Sequence, residues 1–460
     1  MLFNSFAFLL GFLPLALLLH WACERFGPEQ RLPVLVGLSF VFYGYWDWRF
    51  VPLLAISILT NWALATWFVY NRRGVLIVLA IAIDLCVLGA FKYAAFFAGL
   101  LPGLDLQESA VFGLNVALPL GISFFTFHHI MYLADLKAGR APRLDLIRYA
   151  LYITFFPQLL AGPLVRWSEI VHQFDERPYR RPDAAERFAR GAILLVIGLA
   201  KKVFLGDPLA AYVNPVFEAA AKGSAVTVLE AWQATLGFTF QIYFDFSGYT
   251  DMALGIGLMF GIVLPQNFAV PYRASSLREF WRRWHMTLSR FLRDYLYIPL
   301  GGNRRGLAVQ LSALLATMTL GGLWHGAGLT FVAWGILHGV GLSAGVLWRR
   351  AGLSMQPVLG WALTLLFVIL SWVLFRAQSF DAAVTIYQGL FGLGGPLGVE
   401  MKWQMLVPAA ILALIGPTAW SAVHHLPPWR SLAVAFAVLL VFILFKIGDD
   451  ENYEFIYFQF

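Results

Sequence analysis

The chain has 460 residues, of which 60% are hydrophobic and 13% charged, and its formal net charge is +7. A soluble globular domain carries about one-quarter charged residues, so the composition excludes that class and describes an all-α polytopic membrane protein. The positive charge is clustered between apolar runs, which points to loop placement by the positive-inside rule and away from a nucleic-acid partner.

From the N-terminus, the run Leu2 to Trp21 lacks a basic leader and an A-x-A-like cleavage site, and is expected to be a retained first span. Further apolar runs at about 32–46, 50–70, 75–99, 113–134, 191–206, 228–260, 307–324, 328–348, 357–375, 404–421 and 431–447 bring the candidates to twelve. Cys23 and Cys86 lie in or beside such runs and form neither a zinc spacing nor a disulfide framework. The run 149–165, YALYITFFPQLLAGPLV, is broken by Pro157, Gly162 and Pro163, as expected of a re-entrant segment buried in protein. A kinked ordinary span is the alternative. If that run does not cross and the N-terminus lies outside, 25 of the 33 lysines and arginines fall on the inner side and six on the outer. That asymmetry places both ends outside. The longest polar loop, 166–190, is too short for a core of its own, so a single domain over 1–460 is expected, with 265–345 as the stretch where charge and isolated histidines gather.

Several polar groups fall inside apolar stretches. His128 and His129 are adjacent and point about 100° apart on a helix, which argues against a metal pair, and no metal site is expected. In GFTFQIYFDFSGYTDMALG (237–255), Gln241, Asp245 and Tyr249 share one helical face, while Ser247 and Asp251 share another. Such groups need partners or water, so two readings stand: a polar tunnel beside this helix, or hydrogen-bonded glue between helices. Gly255, Gly257 and Gly261 do not fit GxGxxG and suit close helix packing. His424 and His425, beside Pro427 and Pro428, read as loop residues. The chain has no HExxH, nucleophile elbow or P-loop.

Asn267 to Arg305 contains eight arginines. On one continuous helix Arg278, Arg282, His285, Ser289 and Arg293 would form a narrow stripe, opposite Phe280, Trp284, Leu288, Phe291 and Tyr295. Such a helix lies in the interface, with its basic face toward lipid headgroups or toward the phosphates of a ligand, for which arginine forks are suited. The next segment is apolar but carries His325 and His338. Gly321, Gly322, Gly326 and Gly328 surround His325 and would let a ligand approach the imidazole. A neutral buried histidine can serve as a general base, or it can be a satisfied core residue.

The succession PQLLAGPLVRWSEI (157–170), QIYFDFSGYTDMALGIG (241–257), PQNFAVPYRASSLREFWRRWHMTLSRFLRDYLYIPLGGNR (265–304), GGLWHGAGLTFVAWGILHG (321–339) and SWVLFRA (371–377) resembles the membrane-bound O-acyltransferase family, in its bacterial alginate O-acetyltransferase branch. The likeness runs from FLLGFLPLALLL in the first span to the closing FIYFQF. It implies a ring of tilted and re-entrant helices around a central tunnel, with about 11–12 transmembrane spans. By the resemblance, His325 matches the family's defining histidine and His285 the second histidine of this branch. The pair His128 and His129 departs from the family pattern, where a less basic pair is expected.

The resemblance further implies acetyl transfer from cytoplasmic acetyl-CoA, a substrate and not a bound cofactor, in a bacterial inner membrane. Arg278, Arg282 and Arg293 would hold the CoA phosphates. His325 would take the acceptor hydroxyl proton, and His285 would orient the thioester or stabilise its oxyanion. The acceptor is a periplasmic partner transferase or the glycan itself, of alginate type or, in the alternative, peptidoglycan or another envelope polymer. A transporter or flippase of a polysaccharide precursor is the reading from a different class.

Overall fold

Backbone groups have no water to bond to in a bilayer core, so a spanning segment satisfies them internally as helix. The computed structural model describes residues 1–99, 110–111, 114–115, 118–398, 401–426, 430–449 and 455, so 456–460 of the closing motif and Pro427 and Pro428 lie outside the described residues. Among those described, the chain is helical apart from one antiparallel pair, Ala110–Val111 with Leu114–Asn115.

Among the described residues, seven helices are long and apolar enough to cross a membrane: Ala7–Phe26, Trp48–Asn71, Val75–Ala98, Leu307–His325, Leu329–Arg350, Pro357–Arg376 and Ser431–Gly448. A pair bent by 66°, Trp403–Leu414 with Ala419–His425, makes eight if it counts as one span. Fewer helices among the described residues meet this length and apolarity than the eleven to twelve spans expected. The reason is that an apolar run can face protein as well as lipid. Arg31–Gly44 has 14 residues, about 21 Å of helix against a hydrocarbon core of about 30 Å. Ile122–Lys137 buries nearly its whole circumference. Val228–Met259 is long enough at 32 residues but carries Glu230, Asp245 and Asp251, the last two buried.

The chain divides into two compact units, and Val228–Met259 contributes to both. The first comprises Met1–Val196, Tyr249–Pro265 and Leu426–Asp449; the second includes Ile197–Gly248 and Gln266–His425.

In the first unit the run 149–165 forms two short helices, Leu146–Thr154 and Phe156–Leu159, broken at Phe155, and every residue from 149 to 165 is buried. Phe156 anchors it by edge-on contact with Phe12 at 5.3 Å between ring centroids. His128 ties this segment to the helix Ile122–Lys137: its Nδ1–H donates to the Phe124 carbonyl at 2.9 Å, and its Nε2 accepts from the Val165 amide at 3.2 Å. His129 places Nδ1 2.6 Å from the Tyr149 hydroxyl and Nε2 3.4 Å from Ser57 Oγ. No group of metal-ligand residues is present among the described residues. Gly255 serves close packing, since a Cβ there would lie 2.5 Å from the Gly191 carbonyl oxygen.

In the second unit the dominant element is the helical hairpin of Leu307–His325 and Leu329–Arg350. A Cβ on Gly322 would lie 2.3 Å from the Phe331 carbonyl oxygen, and one on Gly335 2.3 Å from that of Met318. Backbone packs on backbone there, and the tight connection Gly326 to Gly328 follows directly on His325.

Candidate functional site

His325 is the last residue of its helix, where Gly326 turns the chain into extended backbone. The imidazole is buried and bounded by aromatic rings: Trp324 at 4.8 Å between centroids, Trp334 edge-on at 5.3 Å, and Phe375 at 5.0 Å. Trp334 in turn stacks on Trp372 at 5.8 Å. The glycines around His325 do not leave the open approach expected of them. Gly322 admits the neighbouring helix, and a Cβ on Gly326 would lie 2.2 Å from Phe331 Cε2. The indole N–H groups of Trp334 and Trp372 are buried with no hydrogen-bond partner among the described residues. A buried indole N–H usually finds one, so two orphans in this aromatic cluster are donors available to a ligand.

The basic stretch is not the single helix that its periodicity suggests. Leu277–Arg283 ends at Trp284, a new helix runs Met286–Leu292, and a π-helical turn follows over Arg293–Tyr297. At the break His285 adopts the left-handed conformation, φ 40° and ψ 55°, where a residue with a side chain is uncommon. The turn removes His285 from the arginine stripe and buries it completely. Its ring packs edge-on against Phe246 at 4.7 Å and against Trp324 at 6.2 Å. Trp324 thus touches both His285 and His325, which are 40 positions apart in sequence. Desolvation pushes the His285 pKa down to about 3, so the ring is neutral at cellular pH.

Arg278, Arg282 and Arg293 all remain exposed, but they are not equivalent. Arg293 is bonded to Asp294 at 2.6 and 3.0 Å, which holds its pKa up. The Arg278 pKa is lowered, first by partial burial and then by the positive charges of Arg282 and Arg349. Arg349, at the far end of the hairpin, is the member that sequence reasoning missed. Proximity of like charges across two helices is invisible to a single-helix projection.

The other expected residues are dispersed. Gln241 and Asp245 are buried in the second unit, while Asp251 lies on the part of the same helix that belongs to the first. Asp245 accepts from Lys202 Nζ at 2.8 Å, and the same buried ammonium reaches Asp207 at 2.8 Å. His338 has both nitrogens occupied: Trp281 Nε1–H donates to Nδ1 at 3.2 Å, and Nε2–H donates to Ser371 Oγ at 3.1 Å, whose own hydrogen goes to the Val368 carbonyl. Asn267, Trp324, Trp334, Trp372 and Lys202 also escaped singling out, because no spacing rule marks them.

The sequence matches the model of the family described as MBOAT, membrane-bound O-acyltransferase family, over residues 40–384. The chain belongs to this family. It is therefore a multi-pass membrane O-acyltransferase, and acyl transfer displaces the transporter reading. Among similar proteins, the peptidoglycan O-acetyltransferase of Helicobacter pylori is 38% identical over 431 residues, covering 86% of this chain and 80% of that protein. A probable alginate O-acetylase of Pseudomonas aeruginosa is 39% identical over 423 residues, covering 88% and 76%. A teichoic acid D-alanyltransferase of Bacillus subtilis is 28% identical over 229 residues, covering 48% and 57%. The second unit of this O-acyltransferase holds His285 and His325 on either side of Trp324, the orphan indole N–H groups of Trp334 and Trp372, and the exposed guanidinium groups of Arg278, Arg282 and Arg349.

Proposed function

We propose that this O-acyltransferase takes acetyl groups from acetyl-CoA and passes them toward a periplasmic acceptor for O-acetylation of an exopolysaccharide of alginate type. The observation that carries the proposal is the convergence of His325 and His285 on Trp324 beside two orphan indole donors. His325 is the general base that takes the proton of the acceptor hydroxyl. The oxygen then bonds to the acetyl carbonyl carbon, the C–S bond breaks, and the CoA thiolate receives the proton. Negative charge on the carbonyl oxygen in the transition state calls for preorganised donors, a part that suits the Trp334 and Trp372 N–H groups. Arg278, Arg282 and Arg349 suit the CoA phosphates, with Arg293 contributing less because Asp294 already neutralises it. Transfer to peptidoglycan is the second reading, favoured by the similarity to the Helicobacter pylori protein.

The test is acetyl transfer by the purified protein in nanodiscs, read as acceptor-dependent release of CoA thiol, with alginate, peptidoglycan and a periplasmic transferase as the acceptors compared. Intact thioester under all conditions overturns the donor. The inner-membrane orientation, based on the 25-to-six split of basic residues, is tested by cysteine probes beside Arg180 and Arg304. They should react only from the cytoplasmic side.

A further inference from the structure

Asn267 is fully buried and sits 18 positions before His285, in the second unit. Its side-chain oxygen is the meeting point of three groups: the Thr287 backbone N at 3.2 Å, Thr287 Oγ1 at 2.7 Å and His285 Nδ1 at 3.3 Å. A backbone N–H can only donate, so the atom facing Thr287 N must be the amide oxygen and not the amide nitrogen. That fixes which way the asparagine is turned. An amide oxygen can only accept, so His285 Nδ1, facing the same atom, must carry a hydrogen. A neutral imidazole has one N–H, and with it on Nδ1 the lone pair is on Nε2.

The backbone is clamped in the same way. The Asn267 carbonyl accepts from the Met286 amide at 2.9 Å, so one residue grips the chain immediately after His285 with both its main chain and its side chain. A left-handed conformation at a non-glycine residue is strained and persists only where the surroundings over-determine it. Asn267 supplies that over-determination. Mere capping of the short helix that follows would use the Thr287 amide and would leave the imidazole nitrogen elsewhere.

We propose that Asn267 is a positioning residue for the acyl-transfer reaction: it holds His285 in the Nδ1–H tautomer, so that the neutral ring offers an acceptor, not a donor, at Nε2. The inference deepens the function proposed above and rests on it for its catalytic meaning. Of the two parts suggested for His285, orienting the donor substrate and stabilising the oxyanion, only the first is compatible with this tautomer. The neutral ring accepts a hydrogen bond from the substrate and cannot give one to the carbonyl oxygen. The oxyanion donors are then sought among the indoles.

The experiment is ¹⁵N-histidine NMR of the full-length protein in nanodiscs, with the His285 signals identified by their loss in His285→Gln. The expected wild-type result is the Nδ1–H pattern. Asn267→Leu removes the acceptor and should move His285 toward Nε2–H, lowering acetyl transfer by about 10²-fold, the scale of a mispositioned substrate. Asn267→Asp keeps an acceptor at the same point and should restore the Nδ1–H pattern and much of the rate lost in the leucine variant. Thr287→Val is the control for capping alone and should leave the tautomer in place. An Nε2–H pattern in the wild type, or an unchanged Nδ1–H pattern in folded Asn267→Leu, overturns the proposal. Full activity of His285→Gln alongside the expected tautomer would instead overturn the catalytic reading of His285, so the two failures are distinguishable.

Discussion

The buried histidines of the two units are alike in composition and opposite in setting. In the first, His128 gives both nitrogens to the main chain, to the Phe124 carbonyl and the Val165 amide, and so staples the broken run 149–165 to a helix. In the second, His325 is walled by the rings of Trp324, Trp334 and Phe375. A histidine whose nitrogens are committed to backbone groups cannot exchange a proton without breaking the fold. One bounded by aromatic faces and orphan indole donors is suited to a transient ligand. Burial alone does not separate the two cases, since both are buried; the identity of the partners does. His338, with Trp281 and Ser371 on its two nitrogens, belongs with His128 although it lies in the same unit as His325.

The sharpest way to break this comparison is to delete the imidazoles one at a time. His325→Ala should lower acetyl transfer per mole of folded protein by about 10²- to 10⁴-fold, the usual contribution of a general base, while acetyl-CoA binding and membrane accumulation persist. His338→Ala should lower the yield of folded protein and leave turnover of the folded fraction near normal. A well-folded, inactive His338→Ala would put the base at the wrong histidine.

Next in size are the orphan indoles. Trp334→Phe and Trp372→Phe each remove an N–H while keeping most of the ring. Loss of one oxyanion donor costs about 10²- to 10³-fold in kcat, so at least one variant should show a loss of that order with its melting temperature little changed. If neither does, the two groups are packing residues with unpaired donors.

The guanidinium cluster comes third. Arg278→Gln, Arg282→Gln and Arg349→Gln should each weaken acetyl-CoA binding, by about 1.5–3 kcal/mol for every phosphate contact that the arginine makes, whereas Arg293→Gln should change it least because Asp294 already occupies that side chain. Titration calorimetry of the four variants would rank them. A loss largest at Arg293 would restore the stripe read from the sequence.

The smallest effect on catalysis should come from His128→Ala. It strands the Val165 amide, at about 1–3 kcal/mol for an unsatisfied buried group, and this should appear as a lower melting temperature with unchanged turnover of folded enzyme. An inactive, fully stable variant would erase the distinction drawn between the two units.

The sequence by itself determined the class of the protein and its family, because composition and long ordered motifs survive without coordinates. It also marked 149–165 as a broken run, since Pro157, Gly162 and Pro163 interrupt helix wherever they stand, and the short buried helices found there match. What it could not show was how each apolar run is shielded, and what it overstated was the continuity of the basic helix. Hydrophobicity records that a residue avoids water but not whether lipid or protein shields it, so Ile122–Lys137 reads as a span although its surface is covered by the chain itself. Periodicity assumes an unbroken helix, and nothing local to RRWH announces the left-handed turn at His285. That turn is held by Asn267, and a bond between residues 18 positions apart is a product of tertiary structure. For the same reason only the folded chain could bring Arg349 to Arg278, put Lys202 against Asp245 and set Trp324 against His285: each pairing closes a long loop of sequence whose ends carry no mark of one another.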